Sequence, residues 1–222
     1  MRTTLYDLLK RLVATGELHD PVVEFGAARA AGQVHLPSVA SMFTGQTFIG
    51  VDMSPGVSVD QLHNLHSLGF RGKSIRSALM FDTIEHVEHP RLALSEIRRC
   101  LAPDGVLLMT TVFFFPIHPF PDDYWRFTAQ GMASLMNEFD KVHTGEGGLR
   151  LFPHTVVGLA GGPEVDPRAW RTLTMTVDDW LREGSTSWKE RALALLPPHL
   201  LQWAYERHST SAEHGSKKIW RT

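Results

Sequence analysis

Cysteine is almost absent: Cys100 is the only one among 222 residues. A single thiol cannot close an internal disulfide or build a thiolate metal cage, so a reducing compartment, by default the cytoplasm, is expected. An excess of positive charge is missing as well, with 22 Lys and Arg against 24 Asp and Glu and a formal net charge of -2. Nucleic acid is therefore not an expected partner, because its phosphate backbone calls for clustered cations. Long apolar runs are also lacking. The longest, Val106 to Phe115, is interrupted by Thr110 and Thr111 and falls short of the roughly 18–20 residues of a membrane span, so no membrane association is expected. Nor is there a glycine-rich dinucleotide fingerprint. Gly26 is followed by Ala27-Ala28-Arg29-Ala30-Ala31-Gly32, which offers no wide phosphate cradle and disfavours a pyrophosphate cofactor.

What is present is ordinary globular composition, 43% hydrophobic and 21% charged, enough for one sizeable core. Leu5, Leu8, Leu9, Leu12 and Val13 recur at helical spacing and predict an amphipathic helix, not a signal peptide, ended by Gly16. Pro21 to Phe25 and Thr47 to Val51 read as buried parallel strands, Val57 to Leu62 as a weak third, and Ser74 to Phe81 as a fourth. Pro90 opens a helix with Leu94, Ile97 and Leu101 on its apolar face. Pro103-Asp104-Gly105 then turns the chain into a fifth strand, Val106 to Val112. A long aromatic, proline-rich loop, Phe113 to Phe127, is a candidate binding loop. Thr128 caps a helix over Ala129 to Glu138. Two short strands, around Val142 and over Thr155 to Leu159, joined by Gly145, Gly147 and Gly148, suit an antiparallel hairpin at the sheet edge.

Beyond Gly161-Gly162-Pro163 the pattern turns helical. Asp166-Pro167 caps a helix carrying Trp170, Leu173, Val177, Trp180 and Leu181, and a second helical stretch, Trp188 to Tyr205, is broken at Pro197-Pro198. The expected architecture is α/β: a doubly wound, mostly parallel sheet with an antiparallel edge hairpin and a C-terminal helical appendage. Residues 1-162 form the sheet domain and 163-222 the appendage, whose tryptophans serve packing, a cover over a pocket or a homodimer contact.

Glu24-Phe25-Gly26 ends the first strand and Asp52 the second, at the sheet edge where ligands bind in such folds. A glycine there permits close backbone approach, and a carboxylate there can accept two bonds from ribose hydroxyls; a plain structural cap is the competing reading of Asp52. Glu85-His86 either begins a helix or contacts ligand. His118, in the loop after the fifth strand, is a near-neutral base suited to taking a hydroxyl proton, or else a brace within its loop. Tyr124, Trp125 and Arg126 can wall a substrate pocket, although Asp122, Asp123 and Arg126 can equally pin the loop. Histidine pairs at three-residue spacing, His63 with His66 and His86 with His89, lack a third ligand at a suitable spacing, so no metal site is expected.

The succession VVEFGAAR, FIGVDMSPG, VDQLHNLHSL, ALMFDTIEHVEHP, LSEIRRCLAPDGVLLM and FPIHPFPDDYWRFTAQG resembles the class I S-adenosylmethionine-dependent methyltransferases. The resemblance covers about Pro21 to Leu159 and is strongest to a bacterial branch whose fifth-strand loop carries a similar pattern of proline, histidine, aspartate, tyrosine, tryptophan and arginine. It implies a seven-stranded sheet and S-adenosylmethionine as cofactor. It implies further that Glu24 and Gly26, with Ala27 beside them, hold the methionine portion, Asp52 the ribose, and Met53 flanks adenine. Asn64 stands where the family usually has Asp and would accept from the adenine amino group, next to the Leu65 N–H; Phe81 and Asp82 line the methionine end. On this reading His86, Tyr124 and Arg126 contact the acceptor and His118 is the base. The implied activity is methyl transfer to a small molecule, in the first place to a hydroxyl of a sugar or secondary metabolite. A cofactor-binding scaffold without turnover is the alternative, and the absent fingerprint counts against a nicotinamide enzyme.

Overall fold

The central strands are apolar at consecutive positions, which a pleated backbone sorts onto two opposite faces. Val22 and Val23 part in this way, as do Leu79 and Met80, Leu107 and Leu108, and Val156 and Val157, one of each pair joining each of two hydrophobic clusters. Both faces must therefore be covered. The computed structural model, which describes residues 3–29, 38–118, 122–149 and 152–184, shows how.

Strands β1 (Val22–Phe25), β2 (Phe48–Asp52), β3 (Gln61–Leu62), β4 (Ile75–Phe81), β5 (Leu101–Val112), β6 (Lys141–Leu149) and β7 (Phe152–Gly161) form one sheet in the order β3-β2-β1-β4-β5-β7-β6. The first five are parallel, and β7 is antiparallel to both β5 and β6. This is the doubly wound, mostly parallel seven-stranded sheet with an antiparallel edge that the sequence predicts. Helices α2 (Pro90–Cys100) and α3 (Ala129–Leu135) supply Leu94, Ile97, Met132 and Leu135 to one cluster. Helices α1 (Thr3–Ala14) and α4 (Pro167–Gly184) supply Leu5, Leu8, Leu9, Leu12, Leu173 and Val177 to the other. The four leucines of α1 are 0% exposed, and burying each contributes about 1.5–3 kcal/mol.

Several boundaries differ from expectation for local reasons. The third strand shrinks to two residues. Val59 N–H bonds Gly56 O in a turn (3.1 Å), and the Asp60 carboxylate takes the Gly50 N–H (2.7 Å) that a longer ladder would use. Leu101 leaves α2, because its backbone is already extended and pairs with Ile75. The Pro103-Asp104-Gly105 turn thus becomes an excursion inside β5. Gly145 and Gly147 lie within β6 instead of in a connection, and a Cβ at Gly145 would stand 2.3 Å from Leu181 Cδ1 of α4. Their missing side chains let α4 pack onto the edge strand.

Two caps form as the sequence predicts. Thr128 Oγ1 accepts the Gly131 N–H (3.0 Å) at the start of α3, and Asp166 Oδ1 accepts those of Arg168 and Ala169 (2.8 and 3.0 Å) at the start of α4. Helix α4 buries Trp180 and packs Trp170 at the edge of the same cluster, so the first helix of the C-terminal stretch is a layer over the sheet, within one unit spanning Met1–Ser185. The expected helical stretch from Trp188 to Tyr205 lies outside the described residues. Among the described residues no helix is long and apolar enough to cross a membrane.

Candidate active site

A doubly wound sheet opens a crevice at the carboxyl ends of its strands where the winding reverses, and here the reversal falls between β1 and β4. Gly26 ends β1 with φ +76°, and a Cβ there would lie 2.1 Å from Thr83 Oγ1. The glycine is required twice over, by conformation and by space, since Thr83 occupies the place a side chain would take. Gly26 and Ala27 both donate their N–H to Val51 O (2.9 and 3.0 Å), and Ala28 N–H donates to Asp52 Oδ2 (3.0 Å). Ser54 N–H donates to Asp52 Oδ1 (3.0 Å). The Asp52 carboxylate is thereby oriented between the ends of β1 and β2, and each oxygen keeps a second lone pair.

Glu24, in the middle of β1, is 6% exposed. Burial is the main cause that pushes its carboxyl up from 4.5 to about 7; Arg29 opposes this and Asp52 adds to it. Met53, next to Asp52, is 63% exposed. Asn64 sits just past β3, and its Oδ1 accepts the His66 N–H (2.9 Å) in a turn that also bonds Ser67 N–H to Asn64 O (3.0 Å). One lone pair of the oxygen expected to read adenine is therefore committed to its own loop. Leu65 is half-buried against the core. Phe81 is buried at the end of β4, and Asp82 follows with φ 45°, unusual for a residue with a side chain. Its N–H bonds Thr110 O (3.0 Å), and Thr110 Oγ1 donates to its carboxylate (3.2 Å). Backbone held in this way at a strand end is characteristic of ligand sites.

A second group of residues assembles where the loop after β5 meets the turn Ile84–His86. Glu85 is fully buried; its carbonyl accepts the N–H groups of Tyr124 (2.9 Å) and Trp125 (3.2 Å), and its carboxylate accepts Thr111 Oγ1 (2.8 Å). Trp125 Nε1 donates to Val87 O (3.0 Å). The loop is thus stapled to the turn. The His86 Nδ1 bonds Asp122 O, and the ring lies 4.8 Å from that of His118. His118 donates its backbone N–H to Asp123 Oδ2 (2.9 Å), while its Nδ1 lies 3.1 Å from both Asp123 Oδ2 and Pro116 O. Two acceptors at Nδ1 fix the proton there and leave Nε2 as the lone-pair nitrogen. Burial, the leading cause, holds the His118 imidazole below its ordinary pKa, which favours the neutral ring.

Arg126 donates through Nη1 to Asp123 Oδ1 and through Nη2 to Asp123 Oδ2 (2.8 Å) and Pro116 O (3.1 Å). It holds the Asp123 carboxyl far below the usual carboxylate range. Both terminal nitrogens serve the loop, as the pinning reading of Arg126 requires. Tyr124, 45% exposed, donates to Asp122 Oδ2 (3.3 Å).

The histidines pair differently from their spacing. His86 meets His118, and His66 meets His89 at a ring distance of 5.5 Å. Neither expected pair lies on an α-helix, so three-residue spacing does not place the rings side by side. Sequence reasoning missed Thr83, Thr110 and Thr111 as parts of the site. The signal for the last two was present: hydroxyls at the carboxyl end of a buried strand need partners, and they find Asp82 and Glu85.

A family described as "Methyltransferase domain" matches residues 1–142. No curated protein sequence matches the chain. Among solved structures, the Burkholderia thailandensis 1,6-didemethyltoxoflavin-N1-methyltransferase with bound S-adenosylhomocysteine is similar at TM-score 0.55 and 16% identity, over 74% of this chain and 79% of that one. An S-adenosylmethionine-dependent methyltransferase from Mesorhizobium loti matches at TM-score 0.53 and 11% identity, over 71% and 97%. At such identities the likeness establishes the fold.

Proposed function

The chain belongs to the methyltransferase-domain family, and from that premise we propose that it transfers the methyl group of S-adenosylmethionine to a hydroxyl of a small molecule, a sugar or a secondary metabolite. The cofactor supplies a methyl carbon made electrophilic by the sulfonium sulfur that carries it. The residues of the crevice fit such a group. Asp52 offers two oriented oxygens for a ribose diol, Glu24 offers a carboxylate for a cationic portion, and the Gly26 turn offers no phosphate cradle to a competing pyrophosphate. Met53 and Asn64, with the Leu65 N–H, flank the base; Phe81 and Asp82 line the methionine end.

The acceptor binds beneath the loop after β5, against His86 and Tyr124. His118 Nε2 takes the hydroxyl proton as the acceptor oxygen loses charge to the new bond, while Asp123 holds Nδ1 and steadies the imidazolium that results. The observation that carries this reading is the geometry of His118, whose Nδ1 faces two acceptors and whose Nε2 is thereby left with the lone pair. A reducing cytoplasm, where one unpaired thiol is stable, is the compartment it implies.

The test has two parts. Calorimetry with S-adenosylmethionine is expected to give one site per chain. A panel of sugar and aromatic hydroxyl acceptors, screened for release of S-adenosylhomocysteine, is expected to contain a substrate whose turnover requires His118. Binding without turnover across that panel would identify a scaffold, and no binding would refute the cofactor assignment.

A further inference from the structure

Glu85, His86 and His118 come from two segments of the chain, and one ligand atom of each lies within 4.8 Å of those of the other two. We propose that these three side chains form a binding site for a zinc-type divalent cation, and that its occupation switches off proton removal by His118. Two imidazoles and one carboxylate, with room for water in a fourth position, suit zinc and its borderline neighbours; magnesium and calcium call for oxygen ligands throughout.

The second argument is the support around each ligand. A metal-binding histidine ordinarily gives its other ring N–H to a carbonyl or carboxylate, which fixes the tautomer and aims the lone pair. His86 Nδ1 is held by Asp122 O, and His118 Nδ1 by Pro116 O and Asp123 Oδ2. The Glu85 carboxylate is held by Thr111 Oγ1. All three ligands thus carry the supporting contacts of a built site. With metal–ligand bonds of about 2.0–2.2 Å, tetrahedral ligand atoms stand roughly 3.4 Å apart, so a bound cation draws this set inward. The movement falls on the loop that carries His118. A lone pair given to a cation is not available to a proton, so the ligand and base roles of His118 exclude each other. Binding is independent of the proposed methyl transfer, and only the inhibition rests on it.

The test uses the full chain, dialysed against chelator, with cobalt(II) as a coloured probe and zinc as competitor. One cobalt per chain is expected, with visible absorption of a four- or five-coordinate site that stoichiometric zinc abolishes. His86→Ala and His118→Ala should each weaken binding at least about a hundredfold, and Thr111→Val, which leaves Glu85 in place but unsupported, about tenfold. His66→Ala and His89→Ala, at the other histidine pair, should keep it. No cobalt spectrum, or affinity indifferent to His86 and His118, overturns the site. In the methyl-transfer assay zinc should abolish turnover and chelator restore it. Full turnover at full zinc occupancy overturns the inhibition while leaving the site standing, and cofactor calorimetry without metal reports separately on the methyltransferase reading.

Discussion

Cofactor binding is expected to be coupled to a proton on Glu24. The carboxyl of this buried residue is pushed up from 4.5 to about 7, mainly by burial, so between those values the folded chain keeps it neutral. At about 1.4 kcal/mol per decade, the preference for the neutral form is about 3 kcal/mol. A cationic cofactor group beside Glu24 reverses that preference, because an opposite charge favours the carboxylate. Binding then expels the proton. At pH 6 about one-tenth of the free chains hold Glu24 ionised, and at pH 8 about nine-tenths, so the apparent Kd should be roughly tenfold larger at pH 6. Calorimetry in two buffers of different ionisation enthalpy should register nearly one proton released at pH 6 and almost none at pH 8. Glu24→Gln should flatten both dependences. An equal Kd at the two pH values, with no proton released, would refute the placement of Glu24 against the cofactor.

The same residue makes a second, cofactor-free measurement possible. Its folded pKa lies above the unfolded one, so its contribution to stability is complete below about pH 4.5 and is lost as pH rises through 7. Urea unfolding of the Glu24→Gln chain should therefore lack the decline that wild type shows across that window, a difference of about 3 kcal/mol at pH 8.

Asp52→Ala removes two charge-assisted bonds to ribose and should weaken cofactor binding roughly a hundredfold or more; unchanged affinity in calorimetry takes Asp52 out of the site. Asn64→Asp keeps the acceptor for both His66 N–H and adenine and should bind normally, whereas Asn64→Leu should lose about 1–3 kcal/mol of binding. Gly26→Ala meets Thr83 Oγ1 at 2.1 Å in a left-handed backbone and should cost at least about 2 kcal/mol by thermal denaturation, part of it recovered by adding Thr83→Gly. His118→Ala should lower turnover roughly a hundredfold with unchanged cofactor affinity, and added imidazole should restore part of the rate; a variant at full rate would make His118 a loop brace only.

The sheet was legible because its signals are local. Consecutive apolar residues fix β1, β4 and β5, Thr128 and Asp166 announce helix starts, and Pro90 opens α2 where its missing N–H is harmless. The residues at the ends of β1 and β2 were legible for the same reason, since a strand end sets where Gly26 and Asp52 point. The edge strand was overestimated because alternation in Val57 to Leu62 carries no notice that the Asp60 side chain will take the Gly50 N–H. The glycines of β6 were read as a connection because nothing nearby in sequence reveals Leu181, about 35 residues on, which needs the space they leave. Contacts across that much sequence are tertiary facts, and residue patterning within a strand does not encode them.

The loop after β5 shows the same division at the point where function depends on it. Asp123 has a side chain only 2% exposed, and a poorly solvated carboxylate is destabilising when its partner is removed. Its partner Arg126 also bridges to the carbonyls of Pro116 and Trp125, on either side of His118 and Asp123. Asp123 in turn receives the backbone N–H of His118 and faces its Nδ1. The position and tautomer of the imidazole therefore depend on this ion pair. The sequence allows Arg126 to wall a pocket or to pin its loop; only the fold shows that its bonds reach Asp123 and the carbonyls on either side of His118, which no spacing within the loop encodes.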